Sequence, residues 1–168
     1  MSGMPDIKNI KIRKAAAGDF DRIIELLRQI RKHHCSGRPD MFRPDLIKYD
    51  PDYLKSVFEV PEKPVFIAAD ITGGNDIAVG YAICEIVNYE NHNIYNNFKS
   101  FYIDDICVDE KYRHSGIGTM LFEMCKKAAI EQGCYCIDLN VWEFNESAMK
   151  FYEKCGMVTR SRKMEMIL

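Results

Sequence analysis

Residues 111 to 120 read KYRHSGIGTM. Gly116 and Gly118 lie two apart, Arg113 precedes the first of them by three, and a long amphipathic run follows. A chain that passes from an apolar strand-like run through such a turn into a helix delivers unpaired backbone N–H groups at the helix N-terminus. Those groups bind anions, phosphates above all. Glycine lets a ligand approach the backbone closely, Arg113 could add a bidentate cation, and a diphosphate would suit the turn. Two familiar phosphate loops do not fit. The third glycine of a dinucleotide fingerprint would fall on Leu121. A P-loop needs Gly-Lys-Ser/Thr, and Gly118 is followed by Thr119 and Met120. A helix-start turn with no ligand also explains the glycines, but leaves Arg113 and its spacing accidental.

Other residues with chemistry lie on both sides of this turn. Asp104 and Asp105 are neighbours in FYIDDICV, 101–108. On a regular strand their side chains face opposite ways, so only one faces a cleft. A general base and a charged strand end are both open readings, and Glu85 is a reserve candidate for the base. Tyr152 shares a helical stripe with Ala148, Phe151 and Cys155, as a core aromatic would. Its phenol also stays protonated at neutral pH. Asn145 suits the N-cap of a helix. His33, His34 and Cys35 adjoin, but a metal site needs further ligands that the sequence does not offer. A helix end carrying basic residues is the favoured reading there, and no metal is expected.

Hydrophobic periodicity supplies the elements that must position these groups. Strands are expected at 7–15, 64–70, 77–89, 101–108, 135–142 and in the tail 157–168. Helices are expected at 19–33, at about 51–59, from Ile117 to Gly133, and at 146–155. Ile117, Met120, Leu121, Met124, Cys125, Ala128 and Ala129 mark one buried stripe of the third helix. The glycine-rich turn 72–76 makes 64–89 a hairpin. The strand–helix–strand of the second half implies two parallel neighbours. The predicted class is therefore α/β, a mixed sheet with helices on both faces, in one domain over 1–168.

Composition removes several classes of function. The 168 residues carry 23 Lys and Arg against 25 Asp and Glu, a net charge of -2. That balance gives no electrostatic reason to expect nucleic acid or an anionic membrane as partner. No apolar stretch reaches the length of a membrane span, and MSGMPDIKNIKIRK lacks the apolar run of a signal peptide. A cytoplasmic location is the default expectation. The seven cysteines are odd in number and irregularly spaced, so reduced thiols are expected rather than a disulfide framework.

Arg113-His114-Ser115-Gly116-Ile117-Gly118 resembles the Arg/Gln-x-x-Gly-x-Gly/Ala signature of the GNAT superfamily of N-acetyltransferases. Asn145-Glu-Ser-Ala148-Met-Lys-Phe151-Tyr152-Glu-Lys-Cys-Gly156 is similar to that family's Asn-x-x-Ala-x-x-Phe/Tyr-Tyr-x-x-x-Gly segment. The likeness is close over about 101–157. It implies a largely antiparallel sheet with a splayed parallel pair at its centre, and acetyl-coenzyme A as cosubstrate. It implies that the backbone of 113–119, with Thr119 the last, holds the diphosphate. The backbone of Ile106, Cys107 and Val108 would pair with the pantetheine arm, and Asn145 and Ala148 would meet the cofactor near its thioester. It further implies Tyr152 as general acid toward the thiolate, and as a cofactor contact. FYIDDICV is similar to the Tyr-Leu-Glu-Asp segment of spermidine/spermine N-acetyltransferases, which places the base at Asp104, directly or through water. Cys107 in a covalent route is discounted, because it lies in an apolar run without an activating partner. The loop after the first helix, with Arg38, Asp40, Arg43, Asp45 and Tyr49, would shape the acceptor pocket. The acceptor is a small-molecule amine such as a polyamine, or alternatively a protein N-terminus or lysine. A non-catalytic acyl-coenzyme A-binding module is the third reading. Homodimers are common in the family.

Overall fold

The structure is a computed structural model, and it describes residues 7–168. The expectation about a leader rests partly on residues 1–6, outside the described ones. A five-stranded sheet runs in the order β1 (Ile10–Lys14), β2 (Val65–Asp70), β3 (Ile77–Asn88), β4 (Lys99–Val108), β5 (Cys136–Leu139). The first four strands pair antiparallel, and β4 and β5 pair parallel. The crossover between β4 and β5 is helix α3 (Ile117–Glu131), and α4 (Glu146–Lys154) follows β5. Helices α1 (Phe20–Gly37) and α2 (Pro51–Val57) lie between β1 and β2 in the chain.

The two faces of the sheet hold separate cores. Leu26, Leu27 and Leu54 from the first two helices pack on Ile67, Ala69 and Tyr81. Leu121, Phe122 and Cys125 of α3 pack on Phe66, Val79 and Phe101, with Phe151 and Tyr152 of α4 at the margin. Neighbouring residues of β2 turn to opposite faces, and a bulge across from Ala68 and Ala69 sends Val79 and Tyr81, two apart on β3, to opposite faces as well. Ile117, Leu121, Cys125 and Ala129 of the expected stripe are buried. Gly118 lies against α4: a Cβ there would stand 3.4 Å from the Phe151 ring, an ordinary contact.

Several expected boundaries move. The first strand begins at Ile10, after a 3₁₀ turn over Ile7–Asn9. Helix α1 runs past the expected end at 33 to Gly37. The last strand of the parallel pair ends at Leu139 rather than 142. Residues 157–168 form no strand, and nearly all of them are exposed. In consequence the parallel pair lies at one edge of the described sheet rather than at its centre. All seven cysteines are unpaired.

One charged contact ties α1 to the turn that leads into α3. Asp109 is buried; its carboxylate accepts from the Lys111 N–H at 3.0 Å and from the Arg22 guanidinium. Arg22 also donates to the Ala78 carbonyl at 2.9 Å, and Gln29 accepts from the Glu110 N–H at 3.2 Å. Burial alone would raise the Asp109 pKa, but the Lys111 amide and Arg22 outweigh it and hold the carboxyl below its ordinary 3.8. The stabilisation is therefore complete above the unfolded value and is lost as pH falls through the lower folded one. Arg22→Met should cost roughly 1–3 kcal/mol in urea unfolding at pH 7, the partial exposure of Arg22 tempering the loss of a buried partner. The difference from the parent should shrink as pH falls through the folded carboxyl value. A pH-independent loss would assign the effect to packing.

Candidate active site

The site begins where β4 and β5 separate. They are paired from Ser100–Cys136 to Ile103–Leu139 and no further. Beyond that point β4 continues alone to Val108. The Asp109 N–H donates to the Val79 carbonyl, which makes Gly80–Val108 a non-hydrogen-bonded pair of the antiparallel ladder. Ala82–Ile106 is of the same kind. Ile106 and Val108 therefore direct their N–H and C=O groups away from β3, toward the side that β5 has left. The Val108 carbonyl is taken by the Arg113 Nε–H at 3.1 Å. Among the described residues, the Ile106 C=O and the Val108 N–H remain for a guest chain, as in β-strand addition, and the Ile106 N–H lies beside the Asp105 carboxylate.

The glycine turn lies just past the end of this open strand. His114 and Gly116 both have left-handed backbones, φ 61° and 91°, and α3 starts at Ile117. Among the described residues, no protein acceptor outside the helix takes the N–H groups of residues 114–119. Ser115 turns its hydroxyl back to the Tyr112 carbonyl. Thr119 lies in the first turn of α3. The Arg113 Nε–H braces the turn against β4, which leaves its terminal N–H groups on the side of the turn. Gly116 is needed for its backbone angle as well as for ligand approach, so a side chain there would strain the turn with or without a ligand.

A cavity of about 160 Å³ occupies the parting, lined by both carboxylates of β4, by Ile106, Asn145, Ala148 and Tyr152. The expectation that only one aspartate faces the cleft does not hold. Ile83 pairs with Asp105 and Cys84 with Ile103, so Asp104 is an extra residue in a β-bulge. The bulge shifts the alternation. Phe101 and Ile103 pack toward α3, whereas Cys107 packs toward α1.

The two acids stand in different surroundings. Asp104 accepts from the Tyr49 hydroxyl at 2.6 Å and from the Lys48 ammonium at 2.8 Å. Asp105 is buried and makes no side-chain hydrogen bond of good geometry. Burial pushes its carboxyl up to about 6, with Asp104 adding to the rise and Lys48 opposing it. The wholly buried Tyr81 hydroxyl faces the Asp105 carboxyl without a well-aligned hydrogen bond, and burial, then that carboxyl, raises its pKa. Glu85 lies apart, 3.9 Å from the Lys63 ammonium. Burial, then Asp105, raises the Tyr152 phenol and holds it protonated. Asn145 caps α4 by accepting from the Ala148 N–H at 3.2 Å, which leaves its amide N–H₂ free of protein partners. Burial pushes the Cys107 thiol up to about 12, and its sulfur faces the Leu26 carbonyl.

Lys48, His34, Trp142 and Phe144 were not singled out in the sequence as site residues beyond the visible histidine pair. The first three line the same cavity. The signal for them was only the polar loop before α2 and a lone tryptophan after β5. The His33 ring packs on Phe144 and the His34 ring on Phe42. Burial, then His33 and Lys48, lowers the His34 pKa, so its imidazole is neutral at neutral pH.

The fold recurs in known proteins. Residues 27–157 match the model of the Acetyltransferase (GNAT) family. Glucosamine 6-phosphate N-acetyltransferase 1 of Dictyostelium discoideum is 32% identical over 169 residues, covering 100% of this chain and 96% of that protein. Thialysine N-epsilon-acetyltransferase of Bos taurus is 24% identical over 153 residues, with 88% and 83% covered. The crystal structure of a tetramutant of the BH1408 protein from Bacillus halodurans superposes with a TM-score of 0.87 at 28% identity, covering 94% of this chain and 99% of that one. A strand pair parted beside a glycine turn, and a family model spanning both, lead to one conclusion: the chain belongs to the GNAT acetyltransferase family and is an acyl-coenzyme A-dependent N-acetyltransferase.

Proposed function

We propose that this chain, as one catalytic domain over 1–168, transfers acetyl from acetyl-coenzyme A to a primary amine of a small molecule in a direct ternary complex. The observation that carries this reading is the juxtaposition in one gap of unpaired β4 amides, unpartnered N–H groups at the head of α3, two carboxylates and a protonated phenol. The diphosphate would sit on the amides of 113–119 and the pantetheine arm along Ile106, Cys107 and Val108. Asn145 and Ala148 would flank the thioester. The relatives named above act, by their names, on a sugar phosphate and an amino-acid analogue, and the small walled cavity suits such an acceptor better than a peptide. Where a peptide N-terminus or lysine is the true acceptor, protein substrates should outcompete free amines in the same assay. Cytoplasmic residence and a homodimer complete the proposal, supported by the balanced charge and the family likeness. Among the described residues, no helix is long and apolar enough to cross a membrane.

Proton bookkeeping assigns the roles. An ammonium entering the gap loses a proton to Asp104, directly or through water, and the freed nitrogen attacks the thioester carbonyl. The Val108 N–H faces the gap and can donate to the developing oxyanion. As the C–S bond breaks, Tyr152 gives its proton to the thiolate; the nitrogen sheds its second proton as the amide forms and the phenolate takes it up, while Asp104 returns the first proton to solvent. A second reading of the base is favoured by one observation. Asp105, with a carboxyl at about 6 and no ammonium bonded to it, is better poised to take a proton near neutrality than Asp104, whose oxygens are both engaged.

The direct test is a panel of small amines with acetyl-coenzyme A and detection of released thiol. Thiol should appear in step with acetylated amine. Tyr152→Phe should lower kcat by roughly 10²-fold or more with acetyl-coenzyme A affinity within about twofold; unchanged turnover in the folded variant would remove the acid. Activity should fall as pH drops through an acid limb, since a protonated carboxylate cannot accept the amine proton. If Asp105 is the base, that limb lies near 6 and vanishes in Asp105→Asn. If Asp104 is the base, only Asp104→Asn removes it. Cys107→Ser should keep most of its activity, and native Cys107 should resist iodoacetamide at pH 8. An acetylated Cys107 trapped during turnover would replace direct transfer with a covalent route.

A further inference from the structure

Four rings from three separated segments close on one another beside the cavity. His34 at the end of α1 stacks on Phe42 at 5.1 Å and 28°. Phe42 meets the edge of Trp142 at 5.1 Å and 74°. Trp142 stacks on Phe144 at 6.0 Å and 25°, and Phe144 returns edge-on to His34 at 6.2 Å and 80°. The ring of Phe144 lies directly over Gly37. A Cβ at that position would fall well inside contact distance of three Phe144 ring carbons. Glycine at the last residue of α1 is thus what allows the quartet to close. His34 and Trp142 belong to the quartet and to the cavity wall alike, facing Asp104 and Asp105.

We propose that this His34–Phe42–Trp142–Phe144 quartet, seated on Gly37, is the specificity determinant of the acceptor side, and that it admits amines borne on an unbranched stem. The inference rests on the acetyltransferase reading of the same cavity. Trp142 offers an aromatic face beside two carboxylates, a setting that attracts an ammonium group. Phe42 and Phe144 hold its ring from two sides, and aromatic side chains have few rotors. The quartet also fixes the segment that carries Asn140 and Val141 into the cavity, whereas Asn145 is held by its own cap on α4. Trp142 acts by direct contact with the acceptor. Phe144 and Gly37 are positioning residues, since neither lines the cavity.

The test compares 1,5-diaminopentane with α-methylbenzylamine as acceptors, by kcat/KM, in the parent, Trp142→Ala and Gly37→Ala. Trp142→Ala should raise the relative kcat/KM for the branched amine by about tenfold or more, the scale on which a pocket wall discriminates. Gly37→Ala, which touches no acceptor, should move the ratio in the same direction by displacing Phe144. Acetyl-coenzyme A affinity by calorimetry should stay within about twofold of the parent in both, as expected of a wall on the acceptor side alone. An unchanged ratio in folded variants overturns the proposal, and so does a shift in Trp142→Ala with none in Gly37→Ala. Should Trp142→Ala fail to fold, Trp142→Leu carries the same expectation. A parent that acetylates neither these amines nor any other in the panel overturns the enzymatic reading itself, whereas activity with an unmoved ratio overturns only the quartet's role.

Discussion

The parting of β4 from β5 is the constraint on which the remaining features depend. A strand inside a sheet must satisfy its N–H and C=O groups, and the ladder that would do so stops at Ile103 and Leu139. The amides of Ile106 and Val108 then face a gap whose other wall is side chains. Such a strand invites either water or an extended guest with amides of its own. A pantetheine arm is a guest of that kind. The α3 amides beyond Val108 continue the same line with donors suited to a pyrophosphate. Sheet geometry and helix-terminus chemistry thus both support the proposal of one elongated site rather than two.

Within the gap, a single extra residue divides the labour between two acids. The bulge at Asp104 lets adjacent carboxylates reach one cavity, which regular pleating forbids. Lys48 and Tyr49 engage the outer one, and burial raises the inner one. Paired acids in unlike surroundings are how one site can both attract a cation and take its proton. The same buried charge helps keep the Tyr152 phenol protonated, which is the form an acid toward thiolate requires.

Much of this was legible in the sequence, where the signal was local. The glycine turn declared itself through residue type and spacing, and α3 through its period. Asn145 announced the start of α4. Tyr152 could be read as core or acid, and it borders the core while lining the cavity. What could not be read was long-range. A bulge is a choice of register between β3 and β4, and nothing in FYIDDICV alone marks it. The early end of β5 and the unpaired run 157–168 depend on where the chain turns after Leu139, not on strand propensity. Gly37 looked like a loop residue, because its need for glycine comes from Phe144, far along the chain. The ring quartet has no sequence pattern at all.

Amide hydrogen exchange, with and without acetyl-coenzyme A, tests the central claim most directly. The account predicts that the cofactor slows exchange at Ile106 and Val108 and through residues 114–119, the two halves of one groove. Binding that protects neither stretch, or protects amides only on another part of the sheet, would contradict it.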